Sequence, residues 1–447
     1  MQDHASPPSA ATLQPAVTTR RVFALAGPAM LANLTTPFLG VVATAAIGRL
    51  GESHLLGGVA MASVVFDCMF WLFGFLRMGT VALTAQAQGA SDAPEIRAVL
   101  VRAVLLSSVV GLALLALQLP LSSAVFGLLG GSDAVTAAAK TYFAIRLWSA
   151  PFVLANYVLL GWLVGQARPG SALMLQIIIN VVNMAATVWL VLGAGKGIAG
   201  AAIAAIIAEG AGCIAGAIVA WRLLGGRFGV TSRTLFDRAK LGRMLAVNRD
   251  IMIRTAALIA VFLFFTAEGA RAGDNVLAAN AVLNNFMLIG SFFLDGLANA
   301  AEQLCGRSIG ARDRTGFSQA VRLIVIWGFA FAAAVTIVFV TAGGPLIDFI
   351  TTSPDVRQTA RDYMWLAALA PLCGVMAYAF DGVYIGATWS RDMRNLMIVS
   401  LGCYFAGWWL LKPLGNAGLW GALLVFLLAR GLLQMMRYRG LLRATFA

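Results

Sequence analysis

Apolar residues gather in twelve long blocks separated by short polar stretches. The blocks lie near residues 22–48, 55–86, 98–121, 137–164, 171–193, 198–221, 244–270, 276–305, 319–348, 359–387, 393–411 and 417–437. A membrane-crossing helix needs about 20 mostly apolar residues. Each block reaches that length, and several exceed it, so the longer ones tilt or emerge from the bilayer. The pattern predicts an all-α membrane protein. The longest polar stretch between blocks, about 222–243, divides the spans into two sets of six. The expected organisation is a tail at 1–19, a first lobe at 20–222, a linker at 223–243, a second lobe at 244–438 and a tail at 439–447.

The two halves repeat each other in register. Gly89-Ala90 and Asp92 recur as Gly310-Ala311 and Asp313, and Tyr142 as Tyr363. Gly161 and Gly165 recur as Gly382 and Gly386, and Gly197, Gly200 and Gly210 as Gly418, Gly421 and Gly431. Each pair is 221 positions apart. With 47 glycines in the chain one match means little, but a constant offset over most of a half-length is hard to reach by chance. An even number of spans per half makes both halves enter the membrane in the same direction, related by a pseudo-two-fold axis along its normal. Two such bundles face a central cavity, the layout of an alternating-access transporter.

Composition narrows the classes. The 447 residues are 60% hydrophobic and 11% charged, with a mean hydropathy of +0.85, whereas a soluble domain carries about 25% charged residues. The net charge of +13 would point to nucleic acid in a soluble protein. Here most of the 32 basic residues fall on the side holding both termini and the even-numbered loops, among them Arg20, Arg21, Arg222, Arg238, Arg243, Arg430, Arg437 and Arg443. By the positive-inside rule that side is cytoplasmic, and no nucleic-acid partner is expected. Only Arg77, Arg146, Arg249 and Arg254 are placed within spans. His4 and His54 form no ligand cluster, and Cys68, Cys213, Cys305, Cys373 and Cys403 lie singly in apolar runs, so neither a metal site nor a disulfide is expected. Residues 1–19 lack the apolar core of a signal peptide, so the first span is read as retained. Walker A, GxSxG and HExxH motifs are absent. An enzyme, an ATP-driven pump and a bound cofactor are therefore not expected, and the energy source should be an ion gradient.

Polar residues inside spans carry the candidate chemistry, because ionisable groups in hydrocarbon are costly and face a cavity or a partner. In the eighth span Asn284, Ser291, Asp295, Asn299 and Glu302 follow helical period and form one stripe. In the fifth, Gln176, Asn180, Asn183 and Thr187 form an uncharged one. Cavity lining is the functional reading of both, and interhelical hydrogen bonding the alternative. Asp381, mid-span between Tyr378 and Tyr384, is a candidate proton carrier, as is Asp67 in the second span. For each the alternative is a bond to a neighbouring helix. Asp250 and Arg254 are spaced for a local ion pair, and Glu209 is open to either reading. In the first span Pro28, Pro37 and Gly40 suggest a bendable helix, with Asn33, Thr36 and Thr44 near one face. Some of the 16 Met and 26 Phe residues in such a cavity would suit flat cationic ligands.

Three segments carry a family likeness. Gly27 to Ala90 contains GPAMLANLTTPFLG, IGRLG and WLFGFLRMGTVALTAQAQGA. Asn248 to Arg314 contains NRDIMIRT, FTAEGARAGDNVLAANAVLNNF and FFLDGLANAAEQLCGRSIGARDR, and FDGVYIGATWSRDMRN follows. From about residue 20 to 440 the chain resembles the multidrug and toxic compound extrusion (MATE) family, in its DNA-damage-inducible protein F (DinF-like) branch. The resemblance implies a V-shaped fold of two six-helix lobes, and proton- or sodium-coupled export of organic cations and other amphipathic compounds. In that branch the first span reads roughly G-x-V-D-T, with the Asp central to coupling. Here the segment is Gly40-Val41-Val42-Ala43-Thr44, and Ala43 stands in the acid's place. Thr187 stands where the fifth span often carries a second Asp. Either coupling has moved to Asp67, Asp295, Glu302 or Asp381, or export is loosely coupled, or Ala43 is an engineered replacement.

The expected protein is a monomeric antiporter of a bacterial inner membrane, with both termini cytoplasmic. It takes amphipathic or cationic small molecules from the cytoplasm and exchanges them for protons, or for sodium. The main rival is a flippase for lipids or lipid-linked saccharides, which would favour many cationic residues in the cavity. A channel is the more distant rival.

Overall fold

The computed structural model describes residues 17–447, and for Thr36 and Pro37 the backbone alone. Most of the expected tail at 1–19, with His4, lies outside the described residues, as does the Thr36 side chain. Among the described residues there is no strand, and twelve helices are long and apolar enough to cross a membrane. They are α1 (Thr19–Gly48), α2 (Ser53–Gly89), α3 (Ala93–Ala116), α4 (Asp133–Gly165), α5 (Pro169–Gly193) and α6 (Gly197–Leu223) in the first half. The second half has α7 (Arg238–Arg271), α8 (Asp274–Gly310), α9 (Arg314–Ile350), α10 (Pro354–Gly386), α11 (Ser390–Leu411) and α12 (Asn416–Thr445). The chain is thus an all-α, multi-pass membrane protein. Leu128, Phe349 and Trp409 lie bare on the outer surface, a liability in water but ordinary for a face that meets lipid.

Three spans are less regular than their hydropathy predicts. In α2 the helix stops at Leu72 and resumes at Phe75 around Gly74, a residue that costs helix stability. In α4 a 3₁₀ turn, Leu147–Ser149, precedes Pro151, whose ring disfavours helical geometry just before it. The last turn of α5, Trp189–Gly193, is a π turn. The third block, expected at 98–121, divides into α3 and a separate short helix, Gln118–Leu129.

The 221-residue repeat extends to backbone geometry. Among the described residues, the non-glycine residues with positive φ are Ser91 and Ala167 in the first half and Arg312 and Thr388 in the second, two pairs at the repeat offset. Each closes a helix in the same way. Asp92 N–H donates to Ala87 O at 2.9 Å and Asp313 N–H to Ser308 O at 2.9 Å. Arg168 N–H donates to Leu163 O at 2.9 Å and Trp389 N–H to Tyr384 O at 2.9 Å. These are Schellman closures, which satisfy carbonyls the helix end leaves open. Asp92 and Asp313 then cap the next helices, accepting from Glu95 N–H at 3.0 Å and Gly316 N–H at 2.8 Å.

Glycines set the helix separations. Gly161 on α4 lies against the Arg77 carbonyl of α2, and its repeat mate Gly382 on α10 against the Ala298 carbonyl of α8. A side chain at either position would collide with backbone. Without a hydrophobic drive between helices in lipid, such close approach supplies the packing.

Most helix contacts fall within α1–α6, the first lobe of the expected division, and within α7–α12, the second. The lobes meet around α2 and α8, whose linker-side ends cross at Gly89 and Gly310. Gly89 faces the Arg307 carbonyl and Gly310 the Gln86 carbonyl, a reciprocal contact about the pseudo-two-fold axis. α1 packs about equally against α5 of its own lobe and α8 of the other. The linker is strapped to the first lobe. Arg102 donates to the carbonyls of Thr234 and Leu235, the latter at 2.9 Å, and Glu95 pairs with both Arg102 at 2.8 Å and Lys240 at 2.7 Å.

Candidate functional site

The densest buried polar cluster lies in the second lobe. Asp381 on α10 accepts from Arg430 on α12 and from Gln434 Nε2 at 2.8 Å, and it pairs with Arg254 on α7. Asp381, Arg254, Arg430 and Gln434 are all buried. One carboxylate therefore holds two guanidiniums together where each charge alone would be very costly. Beside them Ser291 Oγ and Tyr378 Oη are hydrogen-bonded at 2.8 Å, and the Arg430 guanidinium lies 5.6 Å from the Tyr378 ring centre.

The α8 stripe runs from this cluster toward the other lobe. Asn299 accepts from Arg77 of α2 across the lobe boundary and donates to Asp295 O at 2.9 Å. Glu302 is 2% exposed, and its Oε2 has no hydrogen-bond partner. No hydrogen bond reaches the half-buried Asp295 carboxyl among the described residues. Arg77 and Arg254 exert electrostatic influence on both acids without touching either. Ser291, Asp295, Asn299, Glu302, Tyr378 and Asp381 are thus brought into one neighbourhood. Asn284, farther from the linker on α8, stays outside it. Tyr384 does too: it is fully buried in the lobe core, with its hydroxyl donating to Gln434 O at 2.8 Å. It lines no cavity, because its ring packs against Phe380 and Trp389.

The first lobe is arranged differently. Asn180 on α5 donates to Thr35 of α1 at 3.0 Å and accepts from Gln176 at 3.0 Å, while Thr187 donates to Asn183 at 3.2 Å. Part of this stripe therefore serves interhelical bonding. Asn33 reaches the Phe292 carbonyl of α8 at 3.4 Å. Ala43 is half-buried beside Val42, which lines an apolar hollow of about 730 Å³ with Met184, Val188, Trp189 and Leu192. No acid replaces the missing one there. Asp67 is exposed on α2. Arg146 lies over the Phe66 ring at 4.7 Å and donates to Tyr142 Oη at 3.0 Å.

Two sequence expectations need correction. Asp250 does not pair with Arg254; it holds Arg394 at 2.7 Å, Arg249 at 3.1 Å and the Ser390 hydroxyl at 3.1 Å, because α11 packs against the start of α7. Arg430, counted among the cytoplasmic-side cations, is a buried partner of Asp381. Its signal was available, since it stands 221 positions after Glu209, already read as intramembrane. Arg249, by contrast, is largely exposed. Sequence reasoning also missed Gln434, Thr35 and a latch at the linker side. There Arg243 donates to Gln86 Oε1 at 2.5 Å and Thr388 Oγ1 at 2.9 Å, and Gln86 donates to Gly386 O at 2.8 Å.

Among the described residues no group of His, Cys, Asp and Glu could hold a metal ion. The arrangement sets a buried carboxyl, Glu302, and a half-buried one, Asp295, beside the contact of α8 with α2, neither of them ion-paired among the described residues.

Comparison with known proteins places the chain. The MatE family model matches residues 28–189 and 251–409. The chain is 38% identical over 410 residues to DNA damage-inducible protein F of Escherichia coli, covering 91% of this chain and 89% of that one. It is 28% identical to the probable multidrug resistance protein NorM of Caulobacter vibrioides, covering 93% and 90%. Among solved structures, the Vibrio cholerae MATE transporter VcmN, determined as a mutant, matches with a TM-score of 0.86 at 21% identity, covering 96% of this chain and 98% of that one.

Proposed function

The chain belongs to the MatE family of membrane transporters, and from that premise we propose that it exports amphipathic, mainly cationic, small molecules in exchange for protons. Similarity to proteins named for multidrug resistance supports the substrate class. The bias of basic residues toward the linker side supports an inner-membrane protein with cytoplasmic termini. The lobes meet on that side through the glycine crossing and the Arg243 latch, which supports reading the present arrangement as outward-open. Rocking about α2 and α8 gives the inward-open partner, and one chain supplies both lobes.

The observation that carries the coupling is the contrast among the second-lobe acids. Asp381 is committed to two arginines and an amide. Asp295 and Glu302 have no counter-ion in contact and are free to exchange a proton for a cationic substrate. Ionised, they offset Arg77 and Arg254 and attract a cation. Protonated, they leave a net positive region that expels one. The proton thereby binds the two substrate states differently, as coupling requires. Coupling here has moved from the position of Ala43 to α8. Sodium at the same oxygens is the alternative ion. The flippase reading is not favoured, because relatives along the whole chain are named for multidrug resistance.

The test uses inverted membrane vesicles with an acidic interior and tetraphenylphosphonium as probe. Saturable, probe-dependent loss of the pH gradient is expected. It should be abolished by Asp295→Asn or Glu302→Gln, and Ala43→Asp should not be needed for it. A response seen only with Ala43→Asp would return coupling to α1, and a response only with sodium would change the ion.

A further inference from the structure

We propose that the first lobe carries its own proton site at Glu209, built across the contact of α6 with α4 rather than on α1. Glu209 lies near the middle of α6 (Gly197–Leu223), roughly 20 Å from either end at 1.5 Å per residue. Asn156 of α4, 2% exposed, donates its Nδ2 to Glu209 Oε2 at 2.7 Å and to Glu209 O at 2.9 Å. The amide is held by close packing: a Cβ on Gly212 would lie 3.0 Å from Asn156 Nδ2 and 2.5 Å from Ile179.

Two observations separate this acid from a structural hydrogen bond. The first is its lack of a counter-ion. Among the described residues no Lys or Arg forms an ion pair with Glu209. Its repeat mate is Arg430, which joins α12 to α10 through Asp381. The same pair of helices is thus clamped in both lobes, by a charge pair in one and by an acid with an amide in the other. A glutamine would clamp as well without the cost of a charge in hydrocarbon. The second is Asn156 Oδ1, which is buried and has no donor. A carboxylate uses the amide's N–H groups. A protonated carboxyl needs an acceptor, and a turn of the amide presents Oδ1. The pair is equipped for both protonation states.

The charged and titratable surroundings are few. From α4, Arg146 and Tyr157 act on Glu209, and Cys213 lies one turn along α6 itself. Arg146 also acts on Asp67 of α2, and Tyr157 is influenced by Arg77 as well. α5 has no charged residue between Pro169 and Gly193, and α1 none between Arg21 and Arg49. Arg146 keeps an unpartnered Nε and acts on two acids, Asp67, which is exposed, and Glu209, which is half-buried.

The site itself is testable without transport; its part in exchange rests on the proposed function. Infrared difference spectra would be recorded on the purified full chain as pH is raised, with Asp295→Asn and Glu302→Gln as background. A protonated-carboxyl band should vanish with rising pH, be missing in Glu209→Gln, persist in Glu209→Asp and shift in Asn156→Ala. If Glu209→Gln keeps every pH-dependent carboxyl band of its parent, the site does not exist. In proteoliposomes otherwise unaltered, Glu209→Gln should move one proton fewer per tetraphenylphosphonium. An unchanged ratio overturns the coupling role. No proton movement in the natural chain overturns the proposed exchange and leaves the infrared result standing.

Discussion

Asp381 and Glu302 are both buried carboxyls of the second lobe, yet their substitution should have opposite consequences. Asp381→Asn leaves two buried guanidiniums without their counter-charge, and breaking such a pair costs about 3–5 kcal/mol. A marked fall in melting temperature and in folded yield is expected, measured in detergent. Glu302→Gln removes no hydrogen bond to Oε2. It should melt close to the natural chain while losing substrate-dependent proton exchange. If both melt alike, the division into structural and exchanging acids is wrong. At this scale the sequence was informative where periodicity spoke: the α8 stripe follows from spacing alone. It was silent on partners, because hydropathy cannot tell that Arg430, midway along α12, turns inward. Tyr384 shows the reverse failure, a polar-tipped residue beside a buried acid that simply fills the core.

Helix ends and helix crossings yield their own predictions. Ser91 and Ala167 hold left-handed geometry that costs an L-residue about 1–2 kcal/mol. Ser91→Gly and Ala167→Gly should therefore raise stability by roughly 1 kcal/mol each in thermal melts, less the entropy glycine adds to the unfolded chain. Thr388→Gly should gain less, since its hydroxyl accepts from Arg243 and Gln86. Gly161→Ala and Gly382→Ala place a methyl against backbone carbonyls, and overpacking of that kind costs about 1–3 kcal/mol; lower folded yield checks it. The twelve spans were legible because each is a long apolar run. The interruptions at Gly74 and before Pro151 were not, because the residues on both sides stay apolar and a one-turn break leaves hydropathy unchanged.

For the whole molecule the repeat was legible and the conformation was not. A fixed offset reports two homologous halves whatever angle they adopt. The angle is held by polar residues at helix ends, such as Gln86, Gln88 and Arg243, which read as ordinary loop chemistry. Gln303 donates to Gln88 across the lobes at 3.4 Å. Gln88→Cys with Gln303→Cys, in a background without the native cysteines, should cross-link on oxidation, stop transport and recover with reductant. Transport that continues in the cross-linked protein would show that the lobes do not part there. The position of α1 has a consequence for biosynthesis. A large share of its packing is with α8, which leaves the ribosome more than 200 residues later. While the first lobe is made, that face of α1 has only lipid as its neighbour, so this helix must be soluble in the bilayer before its second partner exists. A segment selected to tolerate that vacancy is already fit to release α8 and take it up again in every turnover.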